Sequence, residues 1–274
     1  MAGTMTEPAS NTRHSPFQRH IRFEGIENVR DFGGYATADG GRMATGLLYR
    51  GAHQAMASDA DLETLLALRL GVIVDLRRTD ERERAVSRRP RDCGAKVIAN
   101  DLPQSKDDPF NNFLTNGALT AEGMRGFMRD YYRDAPFEVR HIDLYRRYFE
   151  VLTQGPGPVL IHCAAGKDRT GILAALTHHI AGVHTDDIMA DYLLTNDAER
   201  FARRAPFLAA HIREVSGQTP SDAALHATMG VEPDYLHTAW AAITERHGSL
   251  DGYLTEVLEV DADRRARIKT FILA

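Results

Sequence analysis

Hydrophobic positions along the chain take two recurring forms, short unbroken runs and longer stretches with a 3.6-residue beat. Val72-Ile73-Val74 and Val159-Leu160-Ile161 are β-branched runs set off by Gly or Pro, and they predict strands buried on both faces. Lys96–Ala99 predicts another short strand. Ahead of the first run, Ser58 and Asp61 form a capping-box start for DADLETLLALRL. Within it, Leu62, Leu65, Leu66 and Leu70 share one helical face, which Gly71 ends. Glu122–Arg133 and Val139–Leu152 predict two more helices, the second with Ile142, Tyr145, Tyr148, Phe149 and Leu152 as a core face. Another helix follows the second run, from Thr170 through ILAALTHHIAG to Gly182. Thr185 is expected to cap DDIMADYLLTND, with Asp186 and Asp187 favoured by the dipole of its first turn. Tyr235–Arg246, Leu250–Val257 and Ala262–Ile272 close the chain as three short helices. Strand, helix, strand order makes this an α/β fold, with a central, mostly parallel sheet flanked by helices.

Less regular stretches fill the rest. Glycine pairs at Gly33-Gly34 and Gly40-Gly41 mark turns, and GRMATGLLYR predicts a hairpin. Arg30 and Asp31 before a glycine pair predict a tight turn held by side-chain hydrogen bonds, with a structural ion pair favoured over a chemical role. Residues 104–119 predict a loop at the rim of the fold. Residues 199–230 carry mixed charge with Phe201, Phe207, Leu208 and Ile212, a pattern that suits an ordinary packed helical pair. Residues 1–20 read as a flexible tail, which leaves 21–274 as a single domain.

Composition narrows the function classes. A formal net charge of −5 argues against a general nucleic-acid binder, so anion recognition is expected to be local. No apolar run approaches the roughly 18 residues of a membrane span, and the first twenty residues carry no apolar export core. Only Cys93 and Cys163 are present, which suits a reducing compartment and points to the cytoplasm, with export lacking a signal peptide left open. The basic run Arg82, Arg84, Arg88, Arg89, Arg91 reads as a solvated helix face; beside a cleft it would draw acidic or phosphorylated partners.

The chemistry concentrates in PVLIHCAAGKDRTG, residues 158–171. A strand that turns into a helix through a short loop aims successive N–H groups inward, and the helix N-terminus adds positive potential. Ala164, Ala165, Gly166 and Lys167 would supply those amides, and Arg169 a planar fork for two phosphoryl oxygens. Cys163 sits at the base, where such a field favours the thiolate, a nucleophile. His162, alternating to the opposite face, is expected to orient the Cys163 backbone. Thr170 has two readings, a hydroxyl given to the thiolate or a helix cap. Adjacent His162 and Cys163 cannot easily chelate one ion, so neither metal nor cofactor is expected. Asp75, at the end of its strand, is balanced between pairing with Lys167 or Arg169 and an ordinary strand-end ion pair.

His162, Cys163, Arg169, Thr170 and Gly171 match His-Cys-x5-Arg-Ser/Thr-Gly, and here the chain resembles the cysteine-dependent protein tyrosine phosphatases. Lys167-Asp168 before the arginine, with NVRDFGGY, VDLR, DYLLTND and HGSLDGYL elsewhere, is similar to a branch known from mycobacteria; the likeness spans roughly residues 20 to 274. The resemblance implies metal-independent hydrolysis of phosphotyrosine through a cysteinyl-phosphate, with phosphoserine, phosphothreonine and phosphoinositides as further substrates. It also implies a helical lid near residues 199–230 and Asp168 as the acid that protonates the leaving group. Flanking cations oppose a protonated Asp168, whereas burial or an arriving dianion supports it. Asp130 and Asp134 fall at the offset where other branches place the acid, and Asp101, Asp107 and Asp108 lie on the upstream loop. A phospho-recognition module on the same loop is the rival from another class; sulfur or arsenic chemistry, with Cys93 as the sole partner thiol, fits poorly.

Overall fold

Four parallel strands and one short antiparallel edge strand carry the structure, a computed structural model describing residues 19–102 and 108–274. The strands are β1 (Arg30–Asp31), β2 (Leu48–Gly51), β3 (Val72–Asp75), β4 (Lys96–Ile98) and β5 (Val159–His162), in the order β1-β2-β5-β3-β4. Only β1–β2 is antiparallel, so the expected mostly parallel sheet is present. β5 is central. Its residues alternate between two cores: Val159 and Ile161 enter the large one, and Leu160 the smaller one with Ile73, Tyr49 and Leu65. That alternation explains why these strands read as continuous apolar runs.

The smaller core is closed by α1 (Asp59–Ala67), whose capping box is formed as expected: Ser58 Oγ accepts from Asp61 N, and the Asp61 carboxylate accepts from Ser58 N. Such a cap is worth about 1 kcal/mol. Leu65 is buried, but Leu66 is exposed, so the face is narrower than the leucine spacing implies. The helix stops at Ala67, with Leu68 as its cap. On the other side lie α5 (Val139–Leu152), α6 (Asp168–Ala181), α7 (Thr185–Leu193), α10 (Pro233–His247), α11 (Leu250–Glu256) and α12 (Ala262–Ile272). Gly182 closes α6 with φ +84°, a left-handed conformation that favours glycine. The short α2 (Thr79–Arg84) follows β3.

A third core, centred on Leu114, Met124, Ile212 and Leu225, joins α3 (Pro109–Asn116), α4 (Ala121–Asp134), α8 (Ala198–Ser216) and α9 (Asp222–Met229). Here the loop expected at 104–119 is corrected, since Pro109–Asn116 within it is helix. Asp108 caps α3 by accepting from Phe110 N, and Pro109 occupies the first turn, where its missing N–H costs nothing. Residues 103–107, and with them Asp107, lie outside the described residues, as does all of the expected tail but its last residues.

Two other expectations are corrected. GRMATGLLYR does not fold back on itself: Ala36 bridges Arg42 around the Gly40-Gly41 turn, while Leu48–Gly51 leaves to join the sheet. The cap of α7 is His184, whose side chain accepts from Asp186 N, and Thr185 is the first helical residue. Among the described residues no helix is long and apolar enough to cross a membrane.

Candidate active site

The carboxyl ends of three parallel strands meet at Gly51, Asp75 and His162, and the loop to α6 leaves from there. In this loop the backbone oxygens all find donors on one side. Ala164 O accepts from His53 N (3.3 Å), Ala165 O from Asn28 Nδ2 (3.2 Å) and Gly166 O from Asn28 Nδ2 (2.9 Å) and Arg50 Nη2 (3.1 Å). Lys167 O closes the first turn of α6 by accepting from Gly171 N (2.8 Å). A trans peptide points its N–H opposite its C=O, so the amides that follow these carbonyls face the other way, away from those donors. Gly166 makes the turn possible. Its φ is +65°, and a Cβ there would come within 2.3 Å of the Gly51 backbone.

Cys163 is a free thiol, only 2% exposed. Behind it, Arg89 reaches His162 Nε2 (3.4 Å), and His162 Nδ1 lies 3.3 Å from Cys163 O. An arginine only donates, so Nε2 accepts, the ring is neutral, and Nδ1–H donates to the Cys163 carbonyl. His162 is thus tied to the Cys163 backbone. Burial pulls the ring down to about 4, with Asp75 (3.6 Å away) offsetting part of this and Arg77 and Arg89 adding to it. The unfolded chain therefore binds a proton that the folded one refuses. Stability due to the neutral ring is complete above pH 6.5 and falls as pH drops toward 4, by on the order of 3 kcal/mol. Urea unfolding across that window is expected to show this loss and His162→Asn to remove it; equal slopes in both proteins would refute the assignment.

Asp75 pairs with neither Lys167 nor Arg169. Its carboxylate takes Arg77 Nε (2.9 Å) and Nη2 (2.8 Å), and although burial opposes the charge, His162 and Arg77 hold it below the usual carboxylate range. The open choice for Asp75 resolves to a strand-end pair. Arg169 instead forks onto Glu81, Nη1 to Oε2 at 2.6 Å and Nη2 to Oε1 at 2.8 Å, with Nη1 also reaching Leu76 O. Burial pushes Glu81 up, but Arg169 more than reverses this and brings it down to about 2. The sequence offered Glu81 only as an interruption in a basic run.

Lys167 points away from the loop's interior: its ammonium donates to Thr228 O on α9 and stands 3.5 Å from Asp168. Thr170 Oγ1 is buried without a partner among the described residues, so it caps nothing and meets no sulfur. Asp168 Oδ1 accepts from Tyr132 OH (2.9 Å), which in turn accepts from Tyr192 OH (2.7 Å). The sequence pattern singles out neither tyrosine.

Asp168 and Arg169 open onto a cleft of about 240 Å³ that Phe110, Phe127, Met128 and Tyr131 line, with Arg78, Asp108 and Glu138 at its polar positions. Of the other acids considered, Asp130 pairs with Arg133 on the surface of α4, Asp134 is exposed, and Asp101 is tied to Arg82. Asp108 does reach the cleft but is occupied in capping α3. Among the described residues no three His, Cys, Asp or Glu gather as a metal-ligand set.

A sequence model described as the tyrosine phosphatase family matches residues 21–274. The chain belongs to that family. A Cupriavidus necator protein provisionally named a tyrosine-protein phosphatase is 36% identical over 247 residues, 89% of this chain and 86% of its own. The triple specificity protein phosphatase PtpB of Mycobacterium tuberculosis is 32% identical over 264 residues, 85% of this chain and 91% of its own. A crystal structure of P. aeruginosa TpbA overlaps 71% of this chain and 96% of its own at 18% identity, with a TM-score of 0.29, too loose to carry weight. The chain is thus a protein tyrosine phosphatase, a hydrolase of phosphoric monoesters.

Proposed function

We propose that the chain hydrolyses phosphotyrosine through a covalent intermediate on Cys163, within the loop Ala164–Lys167. The observation that carries this reading is the turning of the loop's carbonyls toward outside donors, which turns its amides away from them, as a cradle for an anion between Cys163 and Arg169 requires. Free amides at a helix start, together with a guanidinium, suit a dianion. The Cys163 thiolate attacks phosphorus in line while the ester P–O bond breaks, and Asp168 gives its proton to the departing oxygen. Water then attacks phosphorus as Asp168 takes its proton, the S–P bond breaks with its electron pair returning to sulfur, and phosphate leaves a restored thiolate. The amides and Arg169 stabilise the charge on the equatorial oxygens throughout.

The apolar walls Phe110, Phe127, Met128 and Tyr131 suit an aryl ring. The specificity named for the mycobacterial relative supports a wider range, and the cations Arg78 and Lys167 suit phosphoserine, phosphothreonine and phosphoinositide groups. Cys163 is buried, and we read α8 and α9 as a lid that moves to admit substrate. Lys167 to Thr228 O, and Arg200 and Arg204 to Glu27, are the ties that opening breaks. These partners are consistent with a cytoplasmic enzyme acting on phosphoproteins.

Acid quenching during turnover of an aryl phosphate in chelator is expected to trap phosphate on the Cys163 peptide. Turnover with no such adduct, or tight phosphopeptide binding without turnover, would defeat the reading. Asp168→Asn is expected to slow alkyl phosphates by about 10²-fold or more and nitrophenyl phosphate far less, since nitrophenolate needs little protonation. Equal losses on both would remove the acid role.

A further inference from the structure

NVRDFGGY, LLYRG and DYLLTND meet beneath the loop, and nothing so far gives them chemistry. Their side chains form one buried network. Asp191 receives Arg30 Nε (3.1 Å) on Oδ1 and Arg50 Nη1 (2.7 Å) on Oδ2, and Arg30 Nη2 also donates to its backbone oxygen (2.8 Å). All three side chains are at most 1% exposed. Arg30 Nη1 donates to Asn28 Oδ1, which fixes the amide's orientation and turns Nδ2 onto Ala165 O and Gly166 O. Arg50 Nη2 reaches Gly166 O (3.1 Å) from the same side. Asn28 holds this pose with φ +58°, a region that Asn and Asp enter more readily than other side chains.

Resting on the phosphatase reading above, we propose that Asn28 and Arg50 are positioning residues: they hold the Ala165 and Gly166 carbonyls away from the substrate and so aim the following amides at the phosphoryl oxygens. Asp191 and Arg30 hold the two donors in place. Within this trio two guanidiniums face one carboxylate, a net positive charge behind the loop, opposite the proposed place of the dianion. The contribution is to the transition state more than to ground-state binding, because the amide geometry matters most where oxygen charge develops.

Asn28→Asp tests this directly. It keeps size and backbone preference but replaces the donor with an acceptor facing two carbonyls. Expected are a fall in kcat of about 10- to 100-fold with little change in KM, and a matching weakening of competitive inhibition by orthovanadate. The thermal midpoint is followed in parallel, since a merely structural role would lower the midpoint without changing vanadate affinity per folded molecule. If Asn28→Asp does not fold, Arg50→Lys serves, because one ammonium cannot span Asp191 and the Gly166 carbonyl together. A folded variant with wild-type kcat and vanadate inhibition overturns the proposal alone. A wild-type protein blind to vanadate and inert toward aryl phosphate overturns the site reading, and this proposal with it.

Discussion

Replacing Cys163 with serine is expected to reduce aryl phosphate turnover by at least about 10⁴-fold, the scale on which removal of a nucleophile acts. A serine hydroxyl in the same position stays protonated near neutral pH, and among the described residues no base is hydrogen-bonded at that position. The loop survives the change, because its carbonyls are held by His53, Asn28 and Arg50 and not by the sulfur. Phosphate analogues should therefore still bind, and calorimetry with vanadate separates lost chemistry from lost binding. Residual turnover within about a hundredfold of wild type would show that another group attacks phosphorus.

Arg169→Lys is expected to cost about 10³-fold in kcat, the lower end of what a transition-state arginine supplies in phosphoryl transfer. The geometry explains why lysine is a poor substitute. Arg169 spends Nη1 and Nη2 on the Glu81 carboxylate, and in the proposed reading its remaining edge takes the substrate, a division that only a planar fork allows. A lysine ammonium would satisfy Glu81 or the phosphate, not both. Steady-state kinetics with an aryl phosphate decides this; a loss below tenfold would mean the guanidinium is there for Glu81 alone. Glu81→Gln should weaken catalysis less, since the hydrogen-bonding shape is kept while the charge holding Arg169 in line is lost.

Much of the frame was legible because its signals are local. β3, β5, α4 to α6 and the three terminal helices follow apolar runs, helical periodicity and glycine stops, and their observed limits lie close to those expected. The loop from Cys163 to Arg169 was legible for the same reason: strand, anion-binding turn and helix are contiguous. What the chain does not show in one dimension is pairing across distance. Asp75 joined Arg77, its near neighbour, where a longer reach to the loop was equally plausible. Glu81 found Arg169, and Asp191 found Arg30 and Arg50, across 88, 161 and 141 positions. Nothing in charge or spacing marks such partners. The Lys167 ammonium meets a backbone oxygen on α9 that no sequence pattern could locate. α3 was a different failure, since Asp108-Pro109 is itself a helix-start signal that the polar stretch around it masked.

β5 is hydrogen-bonded on both edges, in register with β2 on one side and β3 on the other. A shift of a single position along either neighbour would swap inside for outside and set an imidazole where the sulfur belongs. Tolerance to added or deleted residues should therefore be sharply uneven. Peripheral helices and outer connections can lengthen or shorten, whereas the few residues between Pro158 and the loop admit no change of length, whatever letters they carry.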